Sequence, residues 1–402
     1  MEVWKHFNRA CAFVDLDNML SNIEAMRRNL NPDTKIAAVI KTDGYGHGSV
    51  AIAKELEKLP CIWGYCTASK EEALQLRNNG MKKPILILGF SFPDAAEYIV
   101  DNEIRPAVFT FDMAKELSDA ALTLHKKAII HIKVDTGMGR IGVKPDEEGL
   151  SIIRDISKLP GIEIEGIFTH FARADETDKE HTWKQYSLFT EFTEKACEEI
   201  GYRIPIRHCA NSAAIAELPE MQLDMVRAGI TMYGLWPSAM VSRESVSIKP
   251  LMKVVSHITY VKKITSGDCI SYGGTFMATH DMEVATVPVG YGDGYPRGLS
   301  SKGNVLIKGK RCPVLGRVCM DQFMVDVTGL GVKALDEIVI IGKDGNEEIT
   351  MEEAGDISGR FNYELACDLG KRIPRVYIKG GKVIAYKDYS DDVQTIYLEG
   401  NV

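Results

Sequence analysis

The chain lacks any block of lysine and arginine. Its 402 residues carry 48 basic and 56 acidic side chains, a formal charge of −8, whereas nucleic-acid binding calls for concentrated positive surface. Long hydrophobic runs are also missing. No segment approaches membrane-spanning length, and the run Ala10-Cys11-Ala12-Phe13-Val14 has the length of a strand rather than of a signal-peptide core. The expectation is a cytoplasmic protein with no nucleic-acid and no membrane partner. The nine cysteines include no C-x-x-C pair, which argues against a disulfide framework and a zinc ribbon. The nine histidines show no H-E-x-x-H or paired spacing, so no catalytic metal is expected. Gly290-Tyr291-Gly292-Asp293-Gly294 lacks the spacing and βαβ context of a dinucleotide fingerprint, which argues against NAD. Neither an internal repeat nor a low-complexity segment occurs.

What is present is enough chain for two domains and a large core. Up to about residue 235, short apolar runs alternate with helical periodicity, the pattern of a parallel α/β fold. Candidate strands are 11–16, 35–40, 62–66, 84–88, 107–110, 129–134, 164–170 and 206–209, with 225–227 a further short run. A helix is expected over 18–30, with Asp17 as N-cap and Met19, Ile23, Met26 and Leu30 on one face. Eight such units in roughly 230 residues fit an α/β (β/α)8 TIM-like barrel, which takes about 250 residues. A polar, Ser-rich connection follows at 237–250. Beyond it, alternating strands at 254–264, 283–289, 305–307, 323–327 and 337–341, a helix over 359–370 and a last strand at 376–378 predict a mainly β C-terminal domain. The expected domains are 1–240 for the barrel and 241–402 for the β domain, with the N-terminal strand a candidate member of the latter.

The chemistry-bearing stretch is Val39-Ile40-Lys41-Thr42-Asp43-Gly44-Tyr45-Gly46-His47-Gly48. A lysine ends an apolar strand and runs straight into a glycine-rich turn. Desolvating an ammonium is costly, so an amine placed there tends toward the neutral, nucleophilic form that builds a Schiff base. The alternating glycines let backbone N–H groups approach a phosphate, Tyr45 offers a hydroxyl, and His47 is expected to open a helix whose N-terminus favours an anion. A plain rim lysine with glycines serving only the turn is the competing reading.

Other expected barrel strands also finish on polar residues, and the C-terminal rim is where barrel enzymes keep their chemistry. These are Lys133-Val134-Asp135-Thr136-Gly137-Met138-Gly139-Arg140, Thr169-His170-Phe171, His208-Cys209-Ala210-Asn211-Ser212 and Arg227-Ala228-Gly229-Ile230. Together with Ser271-Tyr272-Gly273-Gly274-Thr275, the Gly290–Gly294 run, Gly316-Arg317-Val318-Cys319-Met320-Asp321 and Asn362-Tyr363-Glu364, they resemble bacterial alanine racemases, in the family's order and across nearly the whole chain.

That resemblance implies pyridoxal 5′-phosphate (PLP) bound to Lys41 as a Schiff base, with the cofactor stabilising a carbanion and the protein supplying orientation and electrostatics. It implies racemisation of L- and D-alanine by two bases, Lys41 and Tyr272, the latter from the partner of a homodimer with composite active sites, in the supply of D-alanine for peptidoglycan. The same carry-over gives Tyr45, His170, Asn211, Ser212, Arg227, Gly229, Ile230 and Tyr363 to the cofactor. Tyr45, Ser212, Tyr363 and the backbone of Gly229 and Ile230 hold the phosphate. For Ser212 a helix N-cap role is compatible with that. Arg227 faces the pyridine nitrogen, where an arginine donates a hydrogen bond but cannot give up its proton; a pairing with a rim carboxylate is its other reading. Arg140 and the partner's Met320 backbone orient the substrate carboxylate. Lys133 resembles a family lysine that carries a carbamate, which would hold Arg140 by a charge-assisted bond; an unmodified Lys133 pointing elsewhere stays open. Tyr272 needs cationic or hydrogen-bonding neighbours to act as a base near neutral pH, since its ordinary pKa is about 10. His170, with Arg227 behind it, is the candidate, and a structural role for His170 stands beside that. His208 reads as structural.

Three other functions compete. A PLP decarboxylase of the same fold would need an acid at the ring nitrogen, where this chain has Arg227. A non-catalytic PLP carrier would have no use for Tyr272. A serine racemase differs by one hydroxyl, which an apolar pocket rejects weakly; Tyr363 matches the alanine-type pattern.

Overall fold

Parallel strands sandwiched between helices bury both faces, so they read as continuous apolar runs rather than alternating ones. The computed structural model describes residues 7–388 and, for the backbone, 395–397; the outer ends of the two expected domains lie outside the described residues. The first nine strands are β1 (Ala10–Asp15), β2 (Lys35–Val39), β3 (Ile62–Thr67), β4 (Ile85–Ile87), β5 (Arg105–Val108), β6 (Ala128–Lys133), β7 (Ile162–Phe168), β8 (Ile206–His208) and β9 (Met225–Ala228). Eight of them form one parallel sheet in the order β8-β7-β6-β5-β4-β3-β2-β9. Its two ends meet: Asp224 N–H donates to Arg207 C=O at 3.2 Å and Arg227 N–H to Ala210 C=O at 3.0 Å. The ring is thereby closed as a barrel. Ile36, Ala37, Ala38, Ile85, Leu86, Ile87, Ile130 and Ile132 are wholly buried. Burying each Ile or Leu contributes roughly 1.5–3 kcal/mol. Ser69, Thr110 and Asp146 cap the helices that follow β3, β5 and β6 by accepting from the N–H groups of Glu72, Met113 and Gly149.

The chain divides into two units. One comprises residues 20–44 and 52–249 and contains the barrel; the other comprises 1–19, 45–51 and 250–402. In the second, eleven further strands join β1 in one sheet of twelve. A cluster of Ile264, Ile270, Ala278, Met282, Val284 and Leu315 forms part of its core. Two helices interrupt the strands, Met351–Ser358 and Asn362–Asp368.

Several expectations are corrected. The run 11–16 is not a barrel strand: β1 pairs antiparallel with Met252–His257 and parallel with Arg375–Lys379. The short run at 225–227 is the strand that completes the ring. Asp17 is not the N-cap, because the helix starts at Leu16; the Asp15 carboxylate accepts from Asn18 N–H, and Asp17 accepts from Gly380 N–H. The run 254–264 is two strands, Met252–His257 and Tyr260–Ile264. Between them, Ile258 N–H bonds to Asp336 C=O while Thr259 N–H bonds to Thr286 C=O, so the chain changes pairing partner there. The helix over 359–370 is shorter, since Gly359 at φ 74° ends the preceding helix. Among the described residues no helix is long and apolar enough to cross a membrane, and no cluster of three His, Cys, Asp or Glu groups is placed to hold a metal ion.

Candidate active site

Lys41 lies one residue beyond β2, after Ile40, and begins a turn that winds the wrong way for L-residues. Thr42, Asp43 and Gly44 have φ/ψ of 53°/48°, 50°/49° and 63°/46°, and Tyr45 has φ 51°. Left-handed geometry costs a residue bearing a Cβ roughly 1–2 kcal/mol, and β-branched Thr42 is least suited to it. Fixed contacts hold the turn: Thr42 N–H donates to Glu72 Oε1 at 2.6 Å and Gly44 N–H to Ile40 C=O at 2.9 Å. The helix beyond starts at Ser49, not at His47. Gly46 and Gly48 are glycines for a reason other than ligand approach. A Cβ on Gly46 would lie 2.1 Å from Ala366 O, and one on Gly48 would lie 1.8 Å from the Tyr377 hydroxyl. The Gly46 carbonyl accepts from Arg375 Nε at 2.9 Å, and the same guanidinium bonds to Gly370, Ile373 and Leu369 carbonyls. Tyr45 and Tyr363 have ring centroids 5.9 Å apart, and Phe361 stacks on Tyr363.

Within the barrel unit, β2 and β9 are neighbours, with Ala37 opposite Arg227. Arg227 is buried. Its Nη1 donates to His208 Nδ1 at 2.8 Å and to the His208 carbonyl at 3.2 Å. Its Nη2 meets the Thr169 and Cys209 carbonyls at 2.8 and 3.0 Å and His170 Nδ1 at 3.2 Å. No carboxylate pairs with Arg227 among the described residues, so the rim-carboxylate reading is not what the structure has. Its Nε–H takes no part in these bonds. Because arginine only donates, His170 and His208 both accept at Nδ1 and carry their proton on Nε2. Burial, then the Arg227 charge, holds both imidazoles well below the usual histidine range. His208, expected to be merely structural, is therefore Arg227's direct support.

Ser212 is not the N-cap of Ser212–Glu217; Asn211 is, its side chain accepting from Ala214 N–H. This leaves the Ser212 hydroxyl to accept from Gly229 N–H at 3.0 Å and to sit 3.2 Å from the Thr231 hydroxyl. Ile230 opens a short 3-10 turn, and the first amides of such a turn have no acceptor within it. Arg140 is exposed, at the end of a loop held by Asp135, whose Oδ1 accepts the N–H groups of Gly137, Met138 and Gly139. Lys133 is buried and donates to the Val134 carbonyl at 2.5 Å. Burial pushes its amine down to about 8; Asp135 opposes this, and Arg227 and Arg140 add to it.

In the β unit, Tyr272 and Met320 are both exposed. Ser271, at φ 68°, sets the Tyr272 turn, and its hydroxyl donates to the Arg317 carbonyl at 2.6 Å. Tyr272, Tyr291, Arg297, Arg317 and Val318 line a cavity of about 220 Å³. Within this unit the cationic neighbours of Tyr272 are thus two arginines given no role from sequence. Both are remote from Tyr272 along the chain, Arg297 at the start of a 3-10 turn and Arg317 within the Gly316–Asp321 motif, and only the fold brings them beside it. The Met320 carbonyl accepts from Gly292 N–H at 2.8 Å, tying its loop to the Gly290–Gly294 run.

A closed ring of eight parallel strands, with lysine, histidine, arginine and serine side chains at the C-terminal ends of those strands and on the segments that follow them, puts the chain among the (β/α)8-barrel enzymes. The profile of the alanine racemase N-terminal domain matches residues 14–237, and that of the alanine racemase C-terminal domain matches 251–377. The chain belongs to the alanine racemase family, a family of isomerases. It is 46% identical over 368 residues to the alanine racemase of Desulforamulus reducens, covering 91% of this chain and 98% of that one. Among solved structures, the alanine racemase of Clostridium difficile 630 superposes with a TM-score of 0.91 at 39% identity, covering 95% of this chain and 99% of the other. An alanine racemase from Bacillus anthracis with bound L-Ala-P superposes with a TM-score of 0.89 at 34% identity, covering 95% and 98%.

Proposed function

We propose that this protein interconverts L-alanine and D-alanine with PLP carried on Lys41, in the cytoplasm, supplying D-alanine for peptidoglycan. The observation that carries the reading is Arg227, a buried guanidinium whose two Nη groups are taken up by histidines and carbonyls while its Nε–H makes no hydrogen bond among the described residues. A heteroaromatic ring nitrogen is a fitting acceptor for such a donor. The remaining donors suit the other end of the cofactor. The Ser212 hydroxyl, which accepts from Gly229 N–H and Thr231 and so keeps its own proton to donate, and the Ile230 amide suit a phosphate, and with them we assign Gly229, Tyr45 and Tyr363 to that group, with Asn211 capping the turn that carries Ser212.

PLP, when bound, supplies stabilisation of negative charge at the substrate Cα. The chain's own residues do the rest. Inversion needs a proton removed from one face and returned to the other. Lys41 Nζ and Tyr272 Oη of the partner subunit fill those roles. Arg227 would hold the ring nitrogen by donating a hydrogen bond, and since it cannot give up its proton the ring would be a modest electron sink, which would favour prompt return of the proton over decarboxylation. His170 braces Arg227 through Nδ1. Arg140 and the Met320 amide of the partner subunit take the alanine carboxylate, and a carbamate on Lys133 steadies Arg140.

The test is borohydride reduction of purified protein followed by peptide mapping, alongside an alanine racemisation assay. The pyridoxyl group is expected on Lys41 with loss of activity. A label on Lys133 or another lysine, or an unlabelled protein that racemises alanine, would overturn the assignment.

A further inference from the structure

Behind Arg227 the barrel holds a line of polar side chains for which the proposed reaction has no use. His208 Nε2 lies 2.9 Å from His131 Nδ1, His131 Nε2 lies 3.0 Å from Glu165 Oε2, and Arg105 Nε lies 3.3 Å from the same oxygen. Both imidazoles are fully buried. Direction along the line is forced from its two ends. Arg227 only donates, so His208 accepts at Nδ1 and must donate from Nε2; His131 then accepts at Nδ1 and donates from Nε2; the carboxylate only accepts. Each ring is thereby neutral and in a single tautomer. Burial alone would raise the Glu165 pKa, but the His131 hydrogen bond and Arg105 outweigh it and keep the carboxylate ionised.

The backbone is shaped to this line. Ile130 pairs with Ile164 but His131 pairs with Gly166, so Glu165 is the extra residue of a β-bulge, a device that re-aims a side chain. Gly166 clears space for the ring, since a Cβ there would lie 2.3 Å from His131 Nδ1. Phe168 stacks flat on His208 at 4.7 Å between centroids, and Trp63 packs against His131 at 5.5 Å. A bulge, a glycine cradle and two aromatic walls fix rings that a purely apolar barrel interior would not need.

We propose that Glu165, acting through His131 and His208, is the positioning residue that locks the orientation of Arg227 and keeps both histidines as neutral Nε2–H tautomers. The inference rests on the reading that Arg227 faces the cofactor ring. An anionic acceptor at the far end makes His131 Nδ1 a better acceptor, which in turn makes His208 Nδ1 a better acceptor for Arg227. The guanidinium is thus held by its Nη groups, and its Nε–H is left in one direction.

The test uses PLP-loaded enzyme labelled with ¹⁵N at histidine, in wild type, Glu165→Gln and Glu165→Leu, read by ring-nitrogen NMR and by kcat and KM for alanine. Wild type should show His131 and His208 each protonated on Nε2 only. Glu165→Leu should give His131 a mixture of tautomers and lower kcat about three- to tenfold, the range one such hydrogen bond supports, with KM within about twofold. Glu165→Gln, which retains an acceptor oxygen, should fall between the two, and it carries the test if the leucine variant does not fold. Unchanged kcat and unchanged histidine signals in a folded, loaded variant would overturn the proposal, as would a protonated Nδ1 on either ring in wild type. A wild-type protein that binds no PLP or leaves alanine untouched would instead overturn the reading of Arg227, so the two failures are told apart.

Discussion

Lys133 shows how burial sets the chemistry open to a side chain. Its folded-state pKa of about 8 lies below the ordinary 10.5, so between those values the native state binds fewer protons than the unfolded chain and stability rises with pH. For the unmodified amine the gain amounts to about 3 kcal/mol at most. Below about pH 8 the buried ammonium is a liability. The proposed carbamate, which forms from the neutral amine and CO₂, would remove it and would supply an anion for Arg140. In CO₂-free buffer, wild type should gain more thermal stability between pH 7.5 and 9.5 than Lys133→Met does. With ¹³C-bicarbonate, wild type should give a carbamate NMR signal that Lys133→Met lacks. Equal pH profiles would remove the lowered amine; a missing signal would remove the carbamate.

At the scale of elements, the left-handed turn after β2 is where local preference and tertiary demand disagree, and such strain persists only where surroundings over-determine it. Glu72 is one group seen doing so, by accepting from Thr42 N–H, and Arg375 fixes the Gly46 carbonyl that follows. Gly46 separates two contributions. Gly46→Ala meets both a positive φ of 78° and the Ala366 carbonyl at 2.1 Å, whereas Gly201→Ala meets the same φ of 78° with nothing within 4 Å. Urea unfolding should therefore show about 1 kcal/mol lost at Gly201, from conformation alone, and at least about 2 kcal/mol more at Gly46. Equal losses would mean that the contact with Ala366 relaxes without cost.

For the whole molecule, the decisive question is which chain supplies Tyr272. If the working unit is the proposed homodimer with composite sites, each site takes Lys41 from one chain and Tyr272 from the other. Mixing inactive Lys41→Ala chains with inactive Tyr272→Ala chains under exchange conditions should then restore activity, because one of the two sites of a mixed dimer carries neither lesion. Continued inactivity with mixed dimers demonstrated by mass spectrometry would mean that each site is built within one chain.

The sequence by itself determined the alternation of apolar runs that makes a barrel, the shift to β pattern after residue 250, and the ordered motifs that mark the family. These are local signals, written in periodicity and in contiguous residues such as Lys41 with its glycine turn or Asn211-Ser212. Tertiary structure alone decided the rest. The run 11–16 looks like any buried strand, and only its partners Met252–His257 and Arg375–Lys379 assign it to the β sheet, because pairing is chosen by residues more than two hundred positions away. The left-handed turn at Thr42 and Asp43 runs against their local preference, and Glu72, thirty residues further on, is a contact that holds it. Arg227's role depends on acceptors from the ends of two other strands, β7 and β8, and the polarity of the His208–His131–Glu165 line depends on a bulge that places one carboxylate. Hydrogen-bond direction and desolvation arise only when distant groups are buried side by side, and no stretch of sequence carries that information.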